Sequence, residues 1–335
     1  MVRSGDRDDK AAASCCQAGP DHWPKTGGCD KLHYVMCPKK TTKKAARKKP
    51  AAALKKTGLV VIVGRSNAGK STLLNALVGS KIAITSPKPQ TTRDVIHGVV
   101  NDERGQIVFA DTPGIFKHAP DRLTSILNEK VRESLEGVDA VIYVVDATRH
   151  VGDEERLIHR LVAAVDKPKI LVFNKSDQHL AYKDEFLAWR DEFDAVIEVS
   201  ASRGKSLSAL VDAVFELLPE SEPLYPPDRI TNIENRTWVA EMIREKVFLT
   251  LNKELPYSVA VKIDEIETRE DGLVYIRGRL LTSQARYKKM IIGHGAARIK
   301  QIGTMARQEL EEVTGKRIFL DLEVEIDERW IDRPL

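Results

Sequence analysis

The sequence has no cysteine beyond residue 37: Cys15, Cys16, Cys29 and Cys37 all fall in the leading segment of a 335-residue chain. The body therefore owes nothing to disulfides, and a reducing compartment suits it. Those cysteines, with His22 and His33, form no CxxC pair, so plain thiols are a better reading than a metal knuckle. A long apolar run is missing too. Nothing approaches the roughly 18 to 20 residues that span a bilayer, and the first residues lack the apolar centre of a signal peptide. The expectation is a soluble, cytoplasmic monomer, with peripheral association at the inner face of the cell membrane left open. Acid is absent from two stretches. From Lys31 to Lys56 ten Lys and Arg occur without one Asp or Glu, and from Leu273 to Gln308 eight more do so. The formal net charge of +4 hides this, because the first 57 residues hold 14 Lys and Arg against 5 acids while the rest holds 39 against 44. Any nucleic-acid surface must then be a local patch.

A chain of this length with 42% hydrophobic residues can bury two cores. Residues 1–57 are too polar to fold alone and are expected to be a disordered basic tail, either merely solvated or an RNA-tethering or targeting arm. Alternatively, Met36 is the real start. From Leu59 short apolar runs (LVVIV, QIVFAD, DAVIYVVDA, KILVFNKSD) alternate with longer amphipathic ones, which predicts a parallel-rich sheet with crossover helices over 58–218. PESEPLYPPD holds four prolines in ten residues and predicts a linker over 219–230. Over 231–335, Val239, Ile243, Val247 and Leu251 predict a helix. YSVAVKIDEIE and LVYIRGRLL flank a turn at Asp271-Gly272, Ile299 to Val313 carry a second helical stripe, and IFLDLEVEI alternates like a strand. That order describes a small α+β domain.

Five motifs carry the chemistry. Gly64-Arg65-Ser66-Asn67-Ala68-Gly69-Lys70-Ser71-Thr72 follows a strand and opens a helix, the setting in which GxxxxGK[ST] turns backbone N–H groups toward phosphate oxygens. Lys70 would add charge between the outer phosphates, and Ser71 would ligate Mg²⁺. Asp111-Thr112-Pro113-Gly114 ends another strand, so that Asp111 could hold Mg²⁺ through water and the Gly114 N–H could meet the γ-phosphate. Upstream, Gln90-Thr91-Thr92-Arg93-Asp94 stands where a nucleotide-sensitive switch belongs, with Thr92 the expected metal ligand rather than Thr91. Asn174-Lys175-Ser176-Asp177 offers a carboxylate that can accept both N1–H and N2–H of guanine, which selects GTP over ATP, and Ser200-Ala201-Ser202 would support the guanine O6.

Spelled GRSNAGKST, TTRD and DTPG, these motifs resemble the translation-factor-related GTPases, and within them the Era, Der and MnmE group. The resemblance implies a P-loop NTPase G domain, and in this group the asparagine at Asn67 can help bind a potassium ion that assists hydrolysis. Ile115 follows DTPG where Ras-like proteins carry a water-orienting glutamine, so catalysis rests on Lys70, Asn67, Thr92 and Gly114. The stretch from Met290 to Lys300 resembles the helix-turn-helix core of a KH domain, here of type II, whose GxxG turn clamps single-stranded RNA. Arg286, Lys288, Lys289, Ile292, Gly293, His294, Gly295, Ala296, Arg298 and Lys300 would form the RNA contact. Ala296 departs from the motif by replacing the final glycine, and Glu323 and Glu325 make the last strand more acidic than the family pattern. Phosphate neutralisation is the expected role of the acid-free basic stretch, including Arg277, Arg279 and Arg307. The whole layout over 58–335 resembles the Era family, which implies binding to the 3′ end of small-subunit ribosomal RNA and a part in 30S subunit biogenesis. Two other readings remain: an RNA-binding scaffold with a structural, slowly hydrolysed nucleotide, and a Der- or MnmE-like GTPase acting on another RNA. The single GKS and DTPG set weighs against Der, and the lack of a late cysteine against MnmE.

Overall fold

The computed structural model describes residues 55–89, 91–115, 122–252 and 255–330. The basic tail, the four cysteines and Gln90 lie outside them. The first domain is built on β1 (Lys55–Val63), whose last four residues are all buried. Both faces of this strand are covered, so it reads as a continuous apolar run and not as an alternation. It pairs in parallel with β3 (Gly105–Asp111) and β4 (Ala140–Val145). The sheet continues through β5 (Lys169–Phe173) to β6 (Ala195–Glu198), while β2 (Ile96–Asp102) adds an antiparallel edge on β3. Helices α1 (Lys70–Val78), α2 (Arg122–Ser134), α3 (Asp153–Ala163), α4 (Lys183–Leu187) and α5 (Leu207–Leu217) make the crossovers. The 64–72, 111–114, 174–177 and 200–202 loops leave the carboxyl ends of parallel strands, and the 91–94 segment enters antiparallel β2 at that same end, which gathers the motifs along one rim of the sheet.

Two boundaries differ from the expectation. β1 starts at Lys55, inside the segment read as tail, because Lys55 and Lys56 pair antiparallel with β7 (Glu220–Ser221) as the chain leaves the domain. The proline-rich segment is also more than a spacer. Its prolines cannot donate to a ladder, yet it is tied along β2 and β3 by other groups. Gln106 exchanges two 2.8 Å hydrogen bonds with the backbone of Tyr225, Val99 N donates to the Ile230 carbonyl at 2.9 Å, and His97 N donates to Asn232 Oδ1 at 2.9 Å.

The second domain runs α6 (Asn235–Thr250), β8 (Val259–Thr268), β9 (Val274–Thr282), α7 (Ala285–Ile292), α8 (Ala297–Thr314), β10 (Ile318–Ile326). β8 and β9 are antiparallel across the predicted turn, where Gly272 takes φ 78°, and β10 runs parallel to β9. α6 is not amphipathic in the simple sense. Beside its apolar stripe, Arg244, Glu245 and Lys246 are buried as well, because the helix is covered on one side by its own sheet and on the other by the first domain. The two domains share a cluster of charge. Lys81 donates to Glu245 at 2.7 Å, Lys246 does the same at 2.7 Å, and Glu309 accepts from both lysines. Glu245 also accepts from the Thr85 N–H at 2.8 Å, and Trp238 Nε1 donates to the Lys81 carbonyl at 2.9 Å.

Candidate functional site

The loop 64–69 turns sharply because two residues take left-handed backbone: Asn67 at φ 64° and Gly69 at φ 94°. A β-carbon on Gly69 would lie 2.2 Å from Asn174 Nδ2, so the close approach of the two loops demands glycine there. Lys70 is buried and donates back to the Gly64 and Arg65 carbonyls at 2.9 and 3.1 Å. Arg65 is fixed by Glu154, at the start of α3, at 2.6 Å. At the next position, Ser71 Oγ donates to Asp111 Oδ2 at 2.5 Å and stands 3.0 Å from Thr92 Oγ1. Thr91 is turned away, its hydroxyl donating to the Lys88 carbonyl at 2.7 Å. Lys70, Ser71, Thr92 and Gly114 line one cavity together with Asn67, and Thr91 borders it as well, though its hydroxyl is committed to Lys88.

Electrostatics set the chemistry of that cavity. Burial pushes the Asp111 carboxyl up to about 6, against the Lys70 charge and the hydrogen bonds from Ser71 and Thr112. Burial likewise pulls the Lys70 ammonium down, with Asp111 and Glu155 opposing. Two groups that resist ionisation for want of solvent would be relieved together by an anion at Lys70 and a cation at Asp111. The fit to Mg²⁺ is good. Asp111 Oδ1 is buried without a partner, and Ser71, Thr92 and Asp111 offer only hard oxygen donors.

The second group of loops is joined to the first by Asn174. Its Nδ2 donates to the Ala68 carbonyl at 2.9 Å, while its Oδ1 accepts from Lys175 N at 2.8 Å and Ala201 N at 3.1 Å. Asp177 is exposed, and its carboxylate is held low by the Ser200 hydroxyl, which donates to it at 2.5 Å. Ser202 stands 3.3 Å from Ser200. Lys175 is anchored on Asp146 at 2.5 Å. Thr112 points elsewhere, its buried hydroxyl donating to the Ile62 carbonyl at 2.9 Å. Gly114 passes so near the phosphate loop that a β-carbon would lie 2.8 Å from Ser66 Cα. Ile115 is buried in the apolar layer with Val61 and Val63 and so cannot orient water.

In the second domain α7 and α8 meet at Gly293–Ala296, a turn exposed at His294 and Gly295. Gly293, Gly295 and Ala296 take φ 73°, 56° and 62°. Arg298 braces the turn by donating to the Met290 carbonyl at 2.9 Å. Arg286, Lys288, Lys289, Arg298 and Lys300 have no carboxylate partner among the described residues, and Ile292 is half-buried beside them. Three other cations of the basic stretch are corrected here. Arg277 pairs with Glu323 at 3.3 Å, Arg279 with Asp264 at 2.6 Å and Glu325 at 2.5 Å, and Arg307 with Glu311 at 2.6 Å. The acidic last strand thus complements β9 across the ladder. Ala296 carries left-handed strain of roughly 1–2 kcal/mol, and glycine would add roughly 0.4–1 kcal/mol of unfolded-chain entropy. Ala296→Gly should therefore raise Tm slightly in a thermal melt, and a fall would show the strain to be absent.

Comparison with known proteins follows this geometry. A family model described as 50S ribosome-binding GTPase matches residues 59–175, and one described as KH domain matches 254–331. GTPase Era of Halothermothrix orenii is 41% identical over 281 residues, covering 83% of this chain and 95% of that protein. The chain belongs to the GTPase Era family. Era of Trichlorobacter lovleyi is also 41% identical, over 283 residues covering 83% and 95%. Among solved structures, an Aquifex aeolicus Era variant bound to GDP and AlF4⁻ superposes with TM-score 0.77 at 38% identity, covering 83% of this chain and 96% of that one. An Era complex with MgGDPNP and nucleotides 1506–1542 of 16S ribosomal RNA gives TM-score 0.77 and 38% identity over 84% and 96%. As an Era-family protein the chain is a GTPase with a P-loop G domain and a C-terminal KH domain. The Era motifs alone do not show the Arg65–Glu154 pair or the Asp146 anchor of Lys175. Asp146, an acid at the carboxyl end of a buried strand, was the one visible signal.

Proposed function

We propose that this GTPase works as a cytoplasmic, monomeric switch that binds the 3′ end of small-subunit ribosomal RNA and assists 30S subunit biogenesis. The observation that carries it is the coexistence of the Ser71–Thr92–Asp111 oxygen cluster with a Gly293–Ala296 turn, exposed at His294 and Gly295, set among cations that have no carboxylate partner among the described residues. The relative solved with 16S nucleotides supports this choice of RNA over others. Ser71, Thr92 and Asp111 would hold Mg²⁺, which supplies positive charge beside the phosphates. Lys70 would neutralise the outer phosphates, the 64–72 backbone would cradle them, and Asp177 with the Ser200–Ser202 loop would read guanine. Arg286, Lys288, Lys289, Arg298 and Lys300 would neutralise RNA phosphates, and the Gly293–Ala296 backbone would approach the strand.

The test uses the full chain and a short single-stranded RNA copying that 3′ end, with a non-hydrolysable GTP analogue and again with GDP. Binding that depends on the nucleotide is expected, since coupling between two sites must be reciprocal. Failure to bind in both states would overturn the RNA assignment. Because Ile115, the residue after Gly114, is apolar and buried, Asn67 is assigned to a potassium ion. Its Nδ2 donates to the Pro87 carbonyl at 2.7 Å, leaving the amide oxygen as the cation's ligand. GTP hydrolysis should run faster in potassium than in sodium buffer, and equal rates would remove that role.

A further inference from the structure

Residues 81–95 form no helix or strand among the described residues, so no backbone ladder fixes Thr92 at the metal cluster. From within the G domain Lys130 donates to the Arg93 carbonyl at 3.1 Å, but the buried anchors reach across to the other domain. Arg244 of α6, 2% exposed, donates through Nη2 to the Thr91 carbonyl at 2.5 Å. Its guanidinium is itself oriented by two bonds to Glu241, at 2.7 and 2.5 Å. On the other side of Thr92, Arg93 enters the KH domain. It donates to the Tyr257 and Val259 carbonyls at 3.2 and 3.3 Å and lies over the Trp330 ring at 5.4 Å. Lys88 donates to the Phe248 and Leu251 carbonyls. Thr92 is thus bracketed by two buried arginine contacts, both made to or by the KH domain, while its hydroxyl faces Ser71.

Burying a guanidinium is costly even when a carboxylate such as Glu241 pairs with it, unless the geometry it enforces matters. Fork-shaped and always charged, arginine fixes an acceptor in direction as well as distance. We propose that Arg244 is a positioning residue for GTP hydrolysis, contributed by the KH domain, which holds Thr92 at the metal cluster through the Thr91 carbonyl, with Arg93 as the second anchor. The inference rests on the reading of Ser71, Thr92 and Asp111 as the Mg²⁺ site. The GTPase centre is then complete only when the KH domain is docked, and anything that moves α6 acts on Thr92 directly.

The experiment measures, on the full chain, the Mg²⁺ concentration that half-saturates binding of a GTP analogue and of GDP, together with kcat and Tm. Loss of the γ-phosphate releases such a switch from the metal, so Arg244→Met should raise the Mg²⁺ requirement for the analogue and lower kcat, leaving GDP binding unaltered. Losses of groups that orient a metal ligand run to roughly 10- to 100-fold, and an effect in that range is expected. Arg93→Gln tests the second anchor if Arg244→Met fails to fold. Decisive is the cycle with Thr92→Ala. If Arg244 acts through Thr92, adding Arg244→Met to Thr92→Ala changes nothing further, whereas a purely structural loss would add. Parent-like Mg²⁺ dependence in both anchor variants, or additivity in the cycle, would overturn the inference. If the parent itself shows no difference in Mg²⁺ dependence between analogue and GDP, it is the metal-site reading that fails.

Discussion

Replacing Glu245 with leucine is expected to cost about 3 to 5 kcal/mol, the penalty for stranding buried charge when one partner of an ion pair is removed. The carboxylate is 2% exposed and accepts from Lys81, Lys246 and the Thr85 N–H, so its loss leaves two ammoniums and an amide with less than they need. Tm should fall by roughly 10 °C in a calorimetric scan. A double variant, Glu245→Leu with Lys246→Met, should recover much of the loss, since apolar replacement of a whole buried pair is often neutral. An unchanged Tm in the single variant would mean that water reaches the cluster. The pH dependence has a definite sign. Burial alone would raise the Glu245 carboxyl, but Lys246, Lys81 and the Thr85 N–H outweigh it and hold it below the ordinary range. A folded-state pKa below the unfolded one gives stability that is fully present above about pH 4.5 and is lost as pH falls through the folded value.

Asp177→Asn is expected to reverse the choice of base. A carboxylate accepts from both N1–H and N2–H of guanine, whereas an amide offers one acceptor and one donor, matching xanthine with its carbonyl at C2. Affinity for GDP should drop on the order of 100-fold, the discrimination of a good bidentate contact, while xanthosine diphosphate becomes the better ligand. Displacement of a fluorescent nucleotide reads both. Retained GDP affinity would place base recognition outside the loop at Asn174–Asp177.

The G-domain architecture and the positions of its loops were legible because phosphate and base chemistry demand particular residues immediately after strands. GRSNAGKST, DTPG, NKSD and SAS each reach the same rim of the sheet for that reason. The KH elements were legible from periodicity, Val239 to Leu251 and Ile299 to Val313 marking the helices that pack on the three strands. Charge was harder to read. Arg277 and Arg279 look like phosphate ligands in one dimension, but they pair with Asp264, Glu323 and Glu325 on neighbouring strands, diagonally in the case of the last strand, and only the register brings these groups together. The contact between domains was invisible for a related reason. Arg244, Glu245 and Lys246 fall between apolar positions of α6 and read as its wet face, until a second domain covers that face. Arg93 was noticed within TTRD, yet nothing in the spelling says that it leaves its own domain.

The pairing of Lys55 and Lys56 with Glu220 and Ser221 puts the entrance and exit of the G domain at one corner, with Thr57 N donating to the Pro219 carbonyl at 2.9 Å. In mechanical terms this is a clasp. A pull applied between residue 55 and the C-terminal domain would load the Asn232, Ile230 and Tyr225 tethers on β2 and β3 first, and this two-residue ladder last. Because its ends meet there, the G domain is a cassette whose ends can be joined to other chains without spreading the fold.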